Sequence, residues 1–212
     1  MTTHEAIQTE SVSNARSVLT PVGDMALTDI AARLRRETAP EHAAIEAASG
    51  ILHQGLTCAE YRKYLERWFG FVAPLEAELQ RARVWDALRL DPRERSKRQS
   101  LEHDLGELGS VVCALPLSGL PELRGLPEAV GSAYVIEGST LGGRVLSRHV
   151  QTCLGAEVPR GFLEVYGSET GQRWHAFRAA LASYAVGREA QDRVIAGAKS
   201  TFRAFTRWLE RP

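Results

Sequence analysis

The residues with the clearest chemical potential are one histidine near the start of the chain and a group of glycines further along it. His42 carries an imidazole, and a neutral imidazole is a common ligand of iron. Gly138, Gly142 and Gly143 lie in a segment whose pattern is otherwise helical. Each glycine inside a helix costs roughly 1 kcal/mol relative to alanine, so the group should have a compensating role.

Two explanations of these glycines are open from the sequence alone. Gly138 and Gly142 are four residues apart and share one helix face, and Gly143 adjoins it. The backbone can approach a second helix at a tight crossing, or it can lie over a flat ligand on the face opposite the histidine. Ser139 and Thr140 would offer hydroxyls to such a ligand, or they would bond back to helix carbonyls.

His42 also permits two interpretations. It shares a helix face with Leu34 and Ile45, which is typical of a hydrogen-bonded core histidine, but an axial metal ligand fits as well. Arg35 precedes His42 by one heptad, which places it on nearly the same face and roughly 10 Å along the axis. That separation suits a guanidinium that reaches a carboxylate at the edge of a porphyrin bound through His42. Arg178 lies on a later helix, where a lone arginine is usually a surface residue.

Other kinds of site are not indicated. The remaining histidines show no HxxxH spacing and no local carboxylate cluster, so a dedicated zinc or di-iron site is not expected. The sequence contains no GxSxG, P-loop or GxGxxG pattern. Its three cysteines form no CxxC pair, which argues against a disulfide framework and for a reducing cytoplasm: Cys58, Cys113 and Cys153.

The charge balance also excludes broad classes of partner. The chain has 212 residues with 26 Lys+Arg and 26 Asp+Glu, so the formal net charge is zero. This argues against a general nucleic-acid or anionic-membrane binder. No apolar run approaches the roughly 18 residues of a membrane span, and the N-terminus lacks an apolar signal-peptide core. A cytoplasmic location is expected.

Helical periodicity dominates the chain after a polar start. Residues 1–25 predict a mobile tail, and residues 26–212 predict one all-α domain, a helical bundle. Thr28 or Asp29 would cap the first helix, and Pro40 should bend or restart it. The predicted helices span about 27–45, 57–83, 93–108, 128–154, 167–186 and 189–210, with a loop at 113–127.

Four segments, in order, resemble the haem oxygenase family. They are residues 34–42 (LRRETAPEH), 96–105 (SKRQSLEHDL), 137–143 (EGSTLGG) and 178–202. The EGSTLGG form is most similar to bacterial enzymes that supply biliverdin to bacteriophytochromes. The resemblance spans roughly residues 27–210 and implies an all-α bundle with haem between the first helix and a kinked, glycine-rich distal helix.

The resemblance also implies a role for each matching residue. His42 would be the proximal haem ligand, and Arg35 and Arg178 would bind the propionates. The distal backbone at Gly138, Gly142 and Gly143 would contact the haem and, with Ser139 and Thr140, would shape the oxygen site. Animal-type members carry a distal aspartate where this chain has Ser139, although bacterial relatives also have serine there.

The implied activity is oxidative opening of haem b, which is both cofactor and substrate, to biliverdin, CO and ferrous iron. It would use O2 and electrons from an external donor such as ferredoxin or a reductase, and a bacteriophytochrome would accept the product. The main alternative is a non-catalytic haem-binding or storage protein on the same fold. A thiaminase-like enzyme and a plain helical interaction module are further alternatives.

Overall fold

The computed structural model of the protein describes residues 29–211. The predicted tail at 1–25 and the predicted cap at Thr28 lie outside these residues. The described part is all helical, and its helices are α1 (Ile30–Glu37), α2 (Ala39–Ser49), α3 (Cys58–Arg81), α4 (Val84–Leu88), α5 (Arg98–Glu107), α6 (Leu126–Ser139), α7 (Gly143–Leu154), α8 (Thr170–Tyr184) and α9 (Arg188–Leu209). None of them is long and apolar enough to cross a membrane.

The first predicted helix is divided in two. Asp29 caps α1, since its carboxylate accepts the backbone N–H of Ala31 at 3.0 Å. The helix ends at Thr38, whose hydroxyl donates to the carbonyl of Leu34 at 2.8 Å. Pro40 then lies in the first turn of α2, where its missing N–H costs no helical hydrogen bond. The restart predicted from Pro40 is therefore confirmed.

The predicted helix at 128–154 is also divided, with α6 and α7 on either side of residues 140–142. Other boundaries also differ from the prediction: the helix predicted at 167–186 is α8, and a 3-10 turn, Gly167–Glu169, precedes it. The helix predicted from residue 93 begins at Arg98, because Pro92–Glu94 forms a separate 3-10 turn. The long helix predicted from 57 starts with the expected capping box of Thr57 and Glu60 but ends at Arg81, and the short α4 follows it.

Helix α9 packs against the first two helices and most closely against α6. The α1 contact includes a buried arginine: Arg33 donates to Gln191 at 2.8 Å and to Asp192 at 2.6 Å. The α6 contact includes a buried hydroxyl pair, Ser132 and Thr201, at 2.7 Å. These polar bonds fix the register of helices that large apolar side chains otherwise hold together.

The connection 115–125 joins the two halves of the chain across the surface. It leads from the end of a short 3-10 turn, Val112–Ala114, to the start of α6. Leu117 and Leu120 are exposed there. The N–H of Ser118 donates to the carbonyl of Gly70 at 2.8 Å, so one point of the connection is tied to α3.

Candidate functional site

The interruption between α6 and α7 is the main feature of the candidate site. Its backbone follows tight i to i+3 bonds: the N–H of Leu141 donates to Gly138 at 3.1 Å, and the N–H of Gly143 donates to Thr140 at 3.2 Å. A 3-10 stretch inside a longer helix often marks a functional segment. The kink expected in the glycine-rich helix is therefore present as a complete break.

Internal packing explains only one of the three glycines. A Cβ atom on Gly143 would lie 2.1 Å from the carbonyl oxygen of Leu163, so any side chain would collide with backbone. The nearest atom to a Cβ on Gly138 is 3.8 Å away in Trp174, and for Gly142 it is 3.9 Å away in Ser139. Both distances are ordinary van der Waals contact.

Backbone conformation does not require glycine at the other two positions either. Gly138 lies within α6, and Gly142 has a φ of −79°, which any residue adopts. The tight helix crossing considered from the sequence is thus absent at Gly138 and Gly142. Their lack of side chains leaves the backbone open on this face, which suits a flat ligand.

The two hydroxyls at the break bond back to the helix. Ser139 Oγ donates to the carbonyl of Ile136 at 2.7 Å, and Thr140 Oγ1 donates to the carbonyl of Glu137 at 2.8 Å. Each hydroxyl oxygen keeps its lone pairs and can still accept a hydrogen bond. Both side chains are half-buried.

Aromatic rings from α6 and α8 stand beside the break. The ring centroids of Tyr134 and Trp174 are 5.7 Å apart, and Trp174 is also the nearest side chain to Gly138. Burial raises the pKa of Tyr134, whereas the positive charges of Arg35 and Arg178 lower it. Both charges act on this ring, and α8 packs against both α1 and α6.

The two arginines are exposed at the ends of their side chains. Arg178 makes an ion pair with Asp29 at 2.7 Å, and that pair is itself half-exposed. An exposed ion pair contributes little free energy, so its cation can exchange its partner for a ligand carboxylate at small cost. Arg35 lies on α1, two turns before His42, with the break at Thr38 between them.

His42 is on the surface, which excludes the core-histidine interpretation. Its side chain is 59% exposed and lies 3.5 Å from the carboxylate of Glu46. Its ring meets the edge of Phe202 on α9, with centroids 5.8 Å apart. The sequence pattern placed His42 on one apolar face with Leu34 and Ile45. In the structure His42 and Ile45 lie on α2, which has no buried residue.

The other possible metal ligands do not form a site. No group of three or more His, Cys, Asp and Glu side chains within residues 29–211 could hold a metal ion. All three cysteines are unpaired thiols. A single imidazole that binds the iron of a porphyrin needs no further protein ligand of this kind, since the ring nitrogens supply the others.

Comparison with known proteins agrees with the family resemblance seen in the sequence. The model of the heme oxygenase family matches residues 122–211, the part that contains α6, the break and the three helices that follow it. No curated protein matches the sequence. The chain is similar to the haem oxygenases in sequence and in fold. The resemblance seen in the sequence is thereby confirmed, as is the all-α fold.

Three haem oxygenase structures illustrate the likeness. The enzyme from Leptospira interrogans is 19% identical with a TM-score of 0.72, and the alignment covers 85% of this chain and 98% of that one. The NO- and CO-bound enzyme from Neisseria meningitidis is 23% identical, with coverage of 85% and 89% and a TM-score of 0.68. Heme oxygenase-1 from Synechocystis sp. PCC6803, in complex with heme, is 16% identical, with coverage of 85% and 90% and a TM-score of 0.69.

Sequence reasoning missed a buried polar cluster beneath the haem oxygenase-like break. Glu137 and Lys97 are each 1% exposed and form a direct ion pair, and Tyr166 bonds to both. One signal was available, since Glu137 is a charged residue among small and apolar ones in α6. Lys97 and Glu137 also lie in two of the segments that carry the resemblance.

Proposed function

We propose that the protein is a haem oxygenase that opens haem to biliverdin, CO and ferrous iron with O2 and external electrons. One observation carries the proposal: Gly138 and Gly142 lie at a helix break, in the region that matches the family, and nothing inside the protein requires glycine there. A side chain at either position would project where a planar ligand could otherwise reach the backbone.

The residues present fit a haem group. An exposed imidazole at His42 can ligate the iron, and Tyr134 and Trp174 offer apolar surface for the ring. Arg35 and Arg178 can pair with the two propionates, because both are exposed cations beside the same tyrosine. Bound haem supplies the redox-active iron and also the ring that is oxidised, so the chemistry itself belongs to the substrate.

The protein contributes orientation and exclusion. The arginines would hold the carboxylates of a bound haem, and His42 would hold its iron. The bare backbone at Gly138 and Gly142 would leave little room for water and would restrict how O2 reaches the bound group.

We assign proton delivery to water held by the hydroxyls of Ser139 and Thr140. Ser139 and Thr140 each donate to a helix carbonyl, so their oxygens are free to accept a bond from water. They can hold water in place without a carboxylate beside them. We expect Ser139→Ala to slow turnover by up to about 100-fold, the lower end of what positioned proton transfer contributes, with unchanged haem affinity.

We further propose where the protein acts, which proteins supply its electrons and which protein receives its product. The protein acts in the cytoplasm, takes electrons from a ferredoxin or a reductase, and supplies biliverdin to a bacteriophytochrome. The EGSTLGG segment supports this subtype by its resemblance. We assign the haem oxygenase domain to residues 26–212.

Reconstitution with haemin tests the function. The purified protein should give a histidine-type Soret spectrum, and ascorbate or a reductase with O2 should convert the complex to biliverdin, identified by HPLC. A stable haem complex without turnover would replace the enzyme by a haem-storage protein. Failure to bind haem would contradict both.

A further inference from the structure

A closed triangle of hydrogen bonds lies under the end of α6. Lys97 Nζ donates to Tyr166 Oη at 2.7 Å, and Tyr166 Oη donates to Glu137 Oε1 at 2.8 Å. Lys97 Nζ also contacts Oε1 of Glu137 directly. Because Lys97 and Glu137 are almost completely buried, removal of one member leaves its partners without compensation.

Three further bonds tie this triangle to neighbouring segments. Arg95 Nη1 donates to Glu137 Oε2 at 2.5 Å and to the carbonyl of Arg173 in α8 at 3.2 Å. Lys97 Nζ donates to the carbonyl of Arg95 at 2.8 Å. The carboxylate of Glu137 is therefore held by three side chains that come from outside its own helix.

Glu137 is placed to transmit this restraint to the candidate site. It immediately precedes Gly138, and its carbonyl accepts both the hydroxyl of Thr140 at 2.8 Å and the N–H of Thr140 at 3.3 Å. The side chain of Glu137 thus anchors the cluster, and its backbone forms the first turn of the break. A shift of this residue would move the distal backbone with it.

The segment 163–166 also holds the far side of the break. Leu163 presents its carbonyl to Gly143, and Glu164 accepts a hydrogen bond from Ser147 of α7. Tyr166, in the same segment, bonds to Glu137 of α6. One short connection therefore restrains both helices that flank residues 140–142.

We propose that Glu137, Lys97 and Tyr166 are positioning residues. They set how closely the backbone of the break approaches the substrate. This inference rests on the proposed haem oxygenase function. None of the three touches the substrate; they act through the backbone of Gly138. Their role is to determine the rate of ring opening and the position at which the ring opens.

Tyr166→Phe tests the cluster with a minimal change, since it removes the shared hydroxyl and keeps the ring. We expect haem affinity and the KM for haem to be unchanged, kcat to fall by at least about tenfold, and the ratio of biliverdin isomers to change. Tyr61→Phe is the matched control. Tyr61 is also buried and donates to the carbonyl of Pro159 at 2.9 Å, but it makes no bond to Glu137. It should retain the wild-type kcat and isomer ratio.

Hydrogen exchange of the protein without added haem provides a second readout. The amides of residues 138–143 should exchange faster in Tyr166→Phe than in the wild type or in Tyr61→Phe. Unchanged exchange together with an unchanged isomer ratio would overturn the proposal. If the wild type turns over no haem, the proposed function fails, and the exchange experiment still decides whether the cluster holds the break.

Discussion

The carbonyl oxygen of Val194 lies 2.0 Å from the position that a Cβ atom on Gly131 would occupy. The contact is reciprocal, because a Cβ on Gly197 would lie 2.1 Å from the carbonyl of Glu128. The backbones of α6 and α9 therefore touch. Further along α6, Gly138 has no neighbour of this kind, so two glycines of one helix have different reasons to be there.

Alanine substitutions at Gly131 and Gly138 should distinguish a glycine needed for helix packing from one that packing does not require. Gly131→Ala should lower the free energy of unfolding by about 1–3 kcal/mol or more, because the added methyl group forces two backbones apart. Gly138→Ala should leave it unchanged or raise it by up to about 1 kcal/mol, since alanine favours helix and has room beside Trp174. It should nevertheless impair haem turnover. Urea unfolding and turnover assays measure both effects, and equal destabilisation by the two changes would contradict the packing.

His42→Ala should abolish the histidine-type Soret spectrum without loss of stability. The imidazole is exposed, so its removal creates no cavity. His103→Ala is a close control. The His103 side chain is 70% exposed and lies 3.7 Å from the carboxylate of Glu107, which follows it by one helical turn, just as Glu46 follows His42. Absorption spectra of both variants with haemin test the assignment. A normal spectrum in His42→Ala would require another ligand.

Arg35→Ala should weaken haem binding, and Arg36→Ala should not. Both side chains are exposed and adjacent on α1, but the charge of Arg35 reaches Tyr134 beside the break. Because an exposed ion pair contributes little binding free energy, we expect Arg35→Ala to raise the Kd for haem by about two- to fivefold. Haem titration at low ionic strength should show the difference, and added salt should reduce it. Equal effects of the two changes would exclude a specific propionate contact.

Acid should remove one restraint on α6. Burial raises the pKa of Glu128, but bonds from Arg193 Nε at 2.9 Å and Nη2 at 3.0 Å outweigh it, and the net pKa is lowered from 4.5. A lowered pKa stabilises the fold above the unfolded-state value, and this contribution is lost as the pH falls through the folded-state value.

Arg193→Met should therefore destabilise the protein at about pH 7, and the difference from the wild type should shrink below about pH 4.5. Urea unfolding at both pH values measures it. Arg188→Met, on the same helix but 86% exposed, is the control and should show no such pH dependence. A difference that stays constant with pH would mean that the ion pair is not the cause.

Much of the fold follows from local sequence signals. The caps at Asp29 and Thr57, the restart at Pro40 and the helical stripes depend on residues close together in the chain, so periodicity and capping chemistry reveal them. The break at 140–142 was indicated by its glycines. What periodicity did not show is that His42 faces solvent after the restart, since the pattern placed it on one face with Leu34 and Ile45.

The rest depends on contacts between residues distant in sequence. Gly143 and Gly138 look alike in the sequence, yet one is dictated by the backbone of Leu163 and the other is not. The pairing of Lys97 with Glu137 and Tyr166 has no local signature either. Such contacts require the folded arrangement of α5, α6 and the segment before α8.

The connection 115–125 makes the chain divisible. The proposed iron ligand His42 lies before it, and the glycines of the break lie after it. A chain cut within this connection, or two halves expressed together, should reassemble through the contacts of α1 and α2 with α9 and of α3 and α4 with α6. Neither half alone would contain a complete haem site, so pigment formation would report the reunion of two complementary fragments.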